Sequence, residues 1–261
     1  IDPTARPSIP LNLFDLPSAA PSSLLQCIMH AMQAASGQPN AHLSKAVAAM
    51  VNFAAEFVSS SASVRQLMRQ HQLTDMQAQT VCLYTLDARQ HGGLREHSVF
   101  YVYNAALRSG QADAVALWSE YSFLFCSALE KLPSVAATVF RGLDLPLTQL
   151  THMYSKGSTV WLNSVTSTTT DKDQTLLQFG AGASGRPGTL LQIIAVDAKD
   201  IKAFSPFPES ELLIPPNSCH TVHTVLESAE VRCMLAAAPR SANAADSGAS
   251  TGAVRQLARG R

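Results

Sequence analysis

Glu209-Ser210-Glu211 stands directly before Leu212-Leu213-Ile214-Pro215-Pro216. The short apolar run closed by Pro-Pro reads as a buried strand. Side chains alternate across a strand, so Glu209 and Glu211 are expected on one side, roughly 6–7 Å apart along it. Two carboxylates at the rim of one cleft suit chemistry at a glycosidic carbon. Positive charge develops there, and an incoming nucleophile has to lose a proton. Taken alone, the same pair also reads as two solvated side chains at a strand start.

Two other segments carry residues of the same kind. Thr138-Val139-Phe140-Arg141-Gly142 ends an apolar run on a guanidinium. That group stays charged at any ordinary pH, so it must reach water or meet a fixed anion. Gly142 beside it admits close backbone approach by a ligand. Ser164-Val165-Thr166-Ser167-Thr168-Thr169-Thr170-Asp171 is a run of hydroxyls following the strand expected around Trp161. Before Glu209, the segment from Asp200 to Pro208 holds Phe204, Phe207 and two prolines, and reads as a stiff, partly apolar loop.

The elements that position these residues follow from pattern. Residues 1–21 hold five prolines and read as extended. From Ser22 to about Leu132 the apolar spacing is helical. Leu24, Leu25, Ile28, Met29 and Met32 form one stripe, and Val47 through Phe57 a second, with Gly37-Gln38-Pro39-Asn40 between them. Thr74-Asp75 offers a helix start. Phe100 through Leu107 is a further stripe stopped at Gly110, and Val115 through Leu129 reads as one last long helix. After Pro133 the runs become β-like: 137–140, 159–162, 190–196, 212–214 and 231–235. Helices first and strands second argue for α+β. The expected layout is an extended segment (1–21), one domain (22–236, helical over 22–134 and β over 135–236), and a disordered tail (237–261).

Composition excludes several classes. Lys+Arg and Asp+Glu are both 19, giving zero formal charge and no general argument for nucleic acid or an anionic membrane. No apolar run approaches the ~18 residues of a membrane span. Five scattered Cys, an odd number, favour reduced, buried thiols and lean toward a reducing compartment. One bridge, Cys219 to Cys233, stays open. A zinc site at Cys219, His220 and His223 is disfavoured, because strand positions 220 and 223 face opposite sides. The opening Ile1-Asp2-Pro3-Thr4, without Met or a signal-peptide pattern, reads as an internal start or an expression remnant.

Arg, then Ser, then Glu-x-Glu on successive strands resembles the arginine-specific mono-ADP-ribosyltransferases, the Arg-Ser-Glu class of vertebrate ecto-enzymes and bacterial toxins. The run from Phe204 through Pro216 is similar to that family's loop and catalytic strand almost residue for residue. Tyr101–Arg108 and Ala128–Pro133 resemble the helical segments before its catalytic Arg. The likeness covers about 74–235. The family's Ser-Thr-Ser stands here as Ser167-Thr168-Thr169, which keeps the first Ser and the last hydroxyl.

The resemblance implies a mixed β-sandwich core and NAD⁺ as a co-substrate, with no metal. No Gly-x-Gly-x-x-Gly is expected to open a helix, so no redox dinucleotide site competes for that role. It implies that Arg141 grips the NAD⁺ phosphates and that the Gly142 backbone holds the nicotinamide amide. Ser167 fixes Glu211, Glu211 binds the ribose 2′-hydroxyl, and Glu209 engages the acceptor guanidinium. Phe179 is the candidate for stacking on nicotinamide, and Phe207 or Phe204 faces the acceptor protein. The expected reaction is mono-ADP-ribosylation of protein arginines by a monomer, with self-modification at Arg240, Arg255, Arg259 and Arg261 in the tail. NAD⁺ hydrolysis at the same site is the alternative, and a binding module without turnover a remote one. A secreted effector and an intracellular enzyme both fit.

Overall fold

A computed structural model describes residues 20–37, 40–143, 145–172, 175, 188–207 and 211–225. Helix α1 (Leu24–Ser36) starts where the Ser23 hydroxyl accepts from Gln26 N, and stops at Gly37, whose φ of 73° is left-handed. Helix α2 (Ala41–Ser60) is capped by Asn40, which accepts from His42 N and Leu43 N. Ser61 then caps α3 (Ala62–His71), bent by 80° from α2. Thr74 and Gln77 form a reciprocal capping box at the head of α4 (Asp75–Tyr84). Helix α5 (Val99–Ser109) runs to a left-handed Gly110. Among the described residues no single helix is long and apolar enough to cross a membrane.

The last long helix expected over 115–129 is two helices, α6 (Ala112–Ala116) and α7 (Ser119–Lys131). The break falls at Leu117-Trp118, where no Gly or Pro signals it. Trp118 turns in and is 1% exposed, packing against Tyr103 and Tyr121 at 5.3 and 5.5 Å between ring centres.

The β half comprises β1 (Ser134–Leu143), β2 (Thr159–Leu162), β3 (Thr166–Thr169), β4 (Thr189–Asp200), β5 (Glu211–Ile214) and β6 (Ser218–Thr221). A short helix α8 (Leu147–Leu150) follows β1. Four antiparallel strands close into a barrel in the order β1-β3-β5-β4, and β2 pairs β6 separately. The chain is α+β, as its pattern required. The hydroxyl run after Trp161 is itself strand β3, since Thr is β-branched and suits a strand on both faces. The run 231–235 lies outside the described residues.

Alternation in β5 joins the two halves. Leu212 and Ile214 fill the barrel with Val139, Ala195 and Ala198. Leu213 points the other way and joins the helical core with Val165, Ile201 and Phe204. Where α7 hands over to β1, the buried Lys199 of β4 donates to Leu132 O and Ser134 Oγ and pairs with Asp197 at 2.8 Å.

The thiols Cys27, Cys82 and Cys126 are buried, while Cys219 is a free thiol exposed on β6. Cys233, the partner considered for it, lies outside the described residues.

Candidate active site

Barrel closure makes neighbours of segments far apart in sequence. Strand β1 carries Arg141 and Gly142, β3 carries Ser167, and β5 begins with Glu211. These strands are adjacent in that order. Phe140 pairs with Thr169, Thr169 with Glu211, and Ser167 with Leu213. Thr168 donates its hydroxyl to Leu212 O at 2.6 Å, which ties β3 to β5 from the barrel side. Ser167, Thr169, Glu211 and Leu213 therefore share the face turned to the helical half. Arg141, Gly142, Ser167 and Glu211 are all half-buried, so the face is a rim rather than a core.

Arg141 donates from Nη1 to Ser167 O at 2.9 Å. This spends one of five donors on a neutral carbonyl. Among the described residues no carboxylate lies within ion-pair distance of Arg141. Burial holds its pKa below the usual arginine value. Arg108, in the last turn of α5, pushes in the same direction, while Tyr84, Tyr154 and Glu211 oppose. Two guanidinium groups thus share one neighbourhood, an arrangement that a polyanion such as a pyrophosphate relieves.

The Tyr84 phenol, fully buried at the end of α4, is pushed well above its ordinary pKa. Burial is the main cause, and the Glu211 charge adds to it. Asn104 of α5 counters by donating to Tyr84 Oη at 2.8 Å. Tyr154, half-buried after α8, is raised by burial and drawn back by Arg141. The sequence reading gave no role to Tyr84, Asn104, Arg108 or Tyr154. Arg108 at a helix C-terminus looks like an ordinary partner for the helix dipole. The other three are too far from Arg141 in sequence for spacing to connect them.

The structure brings Arg141, Gly142, Ser167 and Glu211 together. The residue straight across from Glu211 is Thr169, whose hydroxyl accepts from Asp171 N at 3.0 Å. Ser167 lies on the diagonal, within reach of a long side chain. Glu209 and Phe179 fall outside the described residues. Phe204 corrects an expectation. It is 0% exposed, held by a short helical turn (Lys202–Phe204) in the helical core, so it faces no acceptor. Phe207 is partly exposed. Among the described residues no group of three or more His, Cys, Asp or Glu could hold a metal ion.

The sequence profile of the NAD:arginine ADP-ribosyltransferases matches residues 25–241. None of the curated proteins compared with the chain matches it. Among solved structures, the chain is similar to the type III effector XopAI from Xanthomonas axonopodis pv. citri, with 18% identity over 78% of this chain and 84% of that one, at a TM-score of 0.50. A mutant of the eukaryotic mono-ADP-ribosyltransferase ART2.2 in complex with NAD is 16% identical over 68% and 80%, at 0.47. The ADP-ribosyltransferase HopU1 of Pseudomonas syringae pv. tomato DC3000 is 18% identical over 78% and 92%, also at 0.47. At these identities the XopAI likeness speaks to the fold alone.

Proposed function

We propose, from the premise that this chain belongs to the NAD:arginine ADP-ribosyltransferase family, that it transfers ADP-ribose from NAD⁺ to arginine side chains of proteins and releases nicotinamide. NAD⁺-dependent ADP-ribosyl transfer is the family's chemistry; the arginine acceptor is the finer step. One observation carries the reading. Arg141, Ser167 and Glu211 meet on adjacent strands, with Arg141 bonded to Ser167 O and Arg108 acting on it from α5.

Each residue then has a task. Arg141, with Arg108 nearby, takes the pyrophosphate of NAD⁺ by charge-assisted hydrogen bonds. The backbone N–H and C=O of Gly142 hold the nicotinamide amide, where a side chain would intrude. Phe179 stacks on the nicotinamide ring. Ser167 orients Glu211 across the β3–β5 diagonal. Glu211 accepts from the ribose 2′-hydroxyl and stabilises the cationic character that grows at C1′. The bond from C1′ to nicotinamide breaks, and nicotinamide leaves neutral with the electron pair. A guanidinium nitrogen of the acceptor attacks C1′ and gives a proton to Glu209. A guanidinium with a pKa above ~12 is a poor nucleophile until a base takes that proton. Phe207 contacts the acceptor protein.

Labelled NAD⁺ with and without agmatine tests the reading. The expected result is ADP-ribosyl-agmatine from the parent protein, neither transfer nor nicotinamide release from Glu211→Ala, and hydrolysis without transfer from Glu209→Gln. Free ADP-ribose as the sole product in the presence of agmatine would replace the arginine acceptor with water.

A further inference from the structure

Helix α3 leaves α2 at an 80° bend and lies against the Lys202–Phe204 turn, with Cα atoms of the two within 8 Å. Its inner side is apolar. Val64 is fully buried, and Leu67 and Met68 pack on the cluster that also holds Phe204. Arg65 and Arg69, one helical turn apart, are exposed along one row of its outer side. The turn adds Lys202, also exposed. Lys131 of α7 reaches the end of α3, donating to Gln72 O and to Gln77 Oε1, each at 2.9 Å. Three elements thus bring cations to one helix.

Little opposes this charge. The run from Phe57 through Thr74 holds no acidic residue, in a chain whose charges balance overall. Among the described residues, Arg65, Arg69 and Lys202 make no ion pair. The carboxylates that flank these elements in sequence are Glu56, Asp75, Glu130 and Asp200, and Asp200 accepts from Lys202 N at 2.9 Å. The helix dipole accounts for Arg69 and His71 in the last turn of α3. It accounts neither for Arg65, a turn earlier, nor for Lys202 on another element. Position gives the charge a use. The turn is the root of the segment that runs through Phe207 to Glu211. The chain from Lys202 to Glu211 is short enough to hold the two within about 30 Å. A protein–protein contact of ordinary size, ~800 Å² on each partner, is about that wide.

We infer that the outer side of α3, together with Lys202, is a docking surface for an acidic patch on the protein being modified. This rests on the arginine-transfer reading above and adds the charge of its partner. Nucleic acid suits the face less well, because α3 carries no Phe, Tyr or Trp on which bases could stack. Exposed charges of this kind govern encounter and salt dependence rather than the chemical step.

The test uses agmatine and two peptides. One peptide joins a single arginine to a block of glutamates through a Gly/Ser linker of about fifteen residues, enough to reach across ~30 Å. The other carries glutamines in place of the glutamates. Each is made with the block on either side of the arginine. The parent protein should modify the glutamate peptide with a KM about fivefold below that of the glutamine peptide at about 50 mM NaCl, and both alike at about 500 mM. Arg65→Glu/Lys202→Glu should abolish the preference, with agmatine modification and nicotinamide release at parental rates. The milder pair Arg65→Gln/Lys202→Gln should weaken it, and serves if the charge reversal unfolds the protein. Fluorescence anisotropy of the labelled peptides should show the same preference and the same loss without turnover. Equal KM and equal affinity for the two peptides in the parent overturn the inference, as does a folded double variant that keeps the preference. A double variant slowed as much with agmatine places these residues in the NAD⁺ pocket and also overturns it. So does an oligo-uridine bound more tightly than the glutamate peptide and released by the same variant, which assigns the face to nucleic acid. A parent protein that leaves agmatine unmodified overturns the arginine acceptor of the proposed function instead, while anisotropy still judges the face.

Discussion

Arg141 brings a charge to a half-buried strand end and, among the described residues, hydrogen-bonds there only to a neutral carbonyl, with the Arg108 charge acting on it from α5. On the proposed function this guanidinium takes the NAD⁺ pyrophosphate. Lysine keeps the charge but loses the planar fork. Arg141→Lys is expected to lower kcat/KM for NAD⁺ by on the order of a hundredfold, mainly through KM, with the fold unchanged. Parental KM in nicotinamide-release kinetics would take the phosphates away from Arg141. The cysteines are readable at the same scale. An odd, scattered set reads as buried thiols, and burial pushes Cys27, Cys82 and Cys126 up to about 12. At pH 8 roughly one in ten thousand of such thiols is a thiolate. Brief alkylation of the native protein should therefore label the exposed Cys219 and spare these three until denaturant is added, as peptide mass mapping would show.

Individual elements were legible where local chemistry decides them. Ser23, Gly37, Asn40, Thr74 and Gly110 mark helix ends by capping or left-handed φ, and each mark is visible in the residue type. The break between α6 and α7 was not legible, because tertiary packing of Trp118 decides it against a continuous apolar stripe. Strand β3 hid in a run of hydroxyls, because its pattern is Thr at buried positions rather than aliphatics. Arg141, Gly142, Ser167 and Glu211 could be named from the chain because strand ends carry them. Their helical neighbours Tyr84 and Asn104 could not, since only packing brings α4 and α5 to the barrel. The handover from α7 to β1 depends on Lys199, which is 5% exposed and spends donors on Leu132 O and Ser134 Oγ. Its bridge to Asp197 is solvated on the carboxylate side, so that contact contributes little. Lys199→Met keeps the stem and removes the donors. It should cost about 1–3 kcal/mol, mostly through the acceptors left behind, as a lower urea midpoint at unchanged slope. A midpoint equal to the parent would mean that water replaces the ammonium without loss.

For the molecule as a whole, the decisive fact is that the helical core takes in residues from the β half, while the barrel keeps a second cluster of its own. Val165, Ile201, Phe204 and Leu213 leave the strands and the adjoining turn to pack with the helical cluster. Phe204 and Phe207 stand three residues apart in one segment, yet their burial predicts opposite outcomes. Phe204→Ala opens a cavity at the junction and should cost about 3–5 kcal/mol. Because the cluster spans both halves, the loss should appear as one earlier transition, with helical circular dichroism and catalytic competence lost together. Phe207→Ala removes no core contact and should leave stability within about 0.5 kcal/mol. It should also leave nicotinamide release and agmatine modification at parental rates, because agmatine is too small to need a docking face. Only transfer to a protein acceptor should fall. Unfolding curves and the two acceptor assays on the same pair of variants decide the matter. If Phe204→Ala kept parental stability, the halves would not be coupled through this segment. If Phe207→Ala slowed agmatine as much as protein, the residue would belong to the NAD⁺ pocket rather than to the acceptor face.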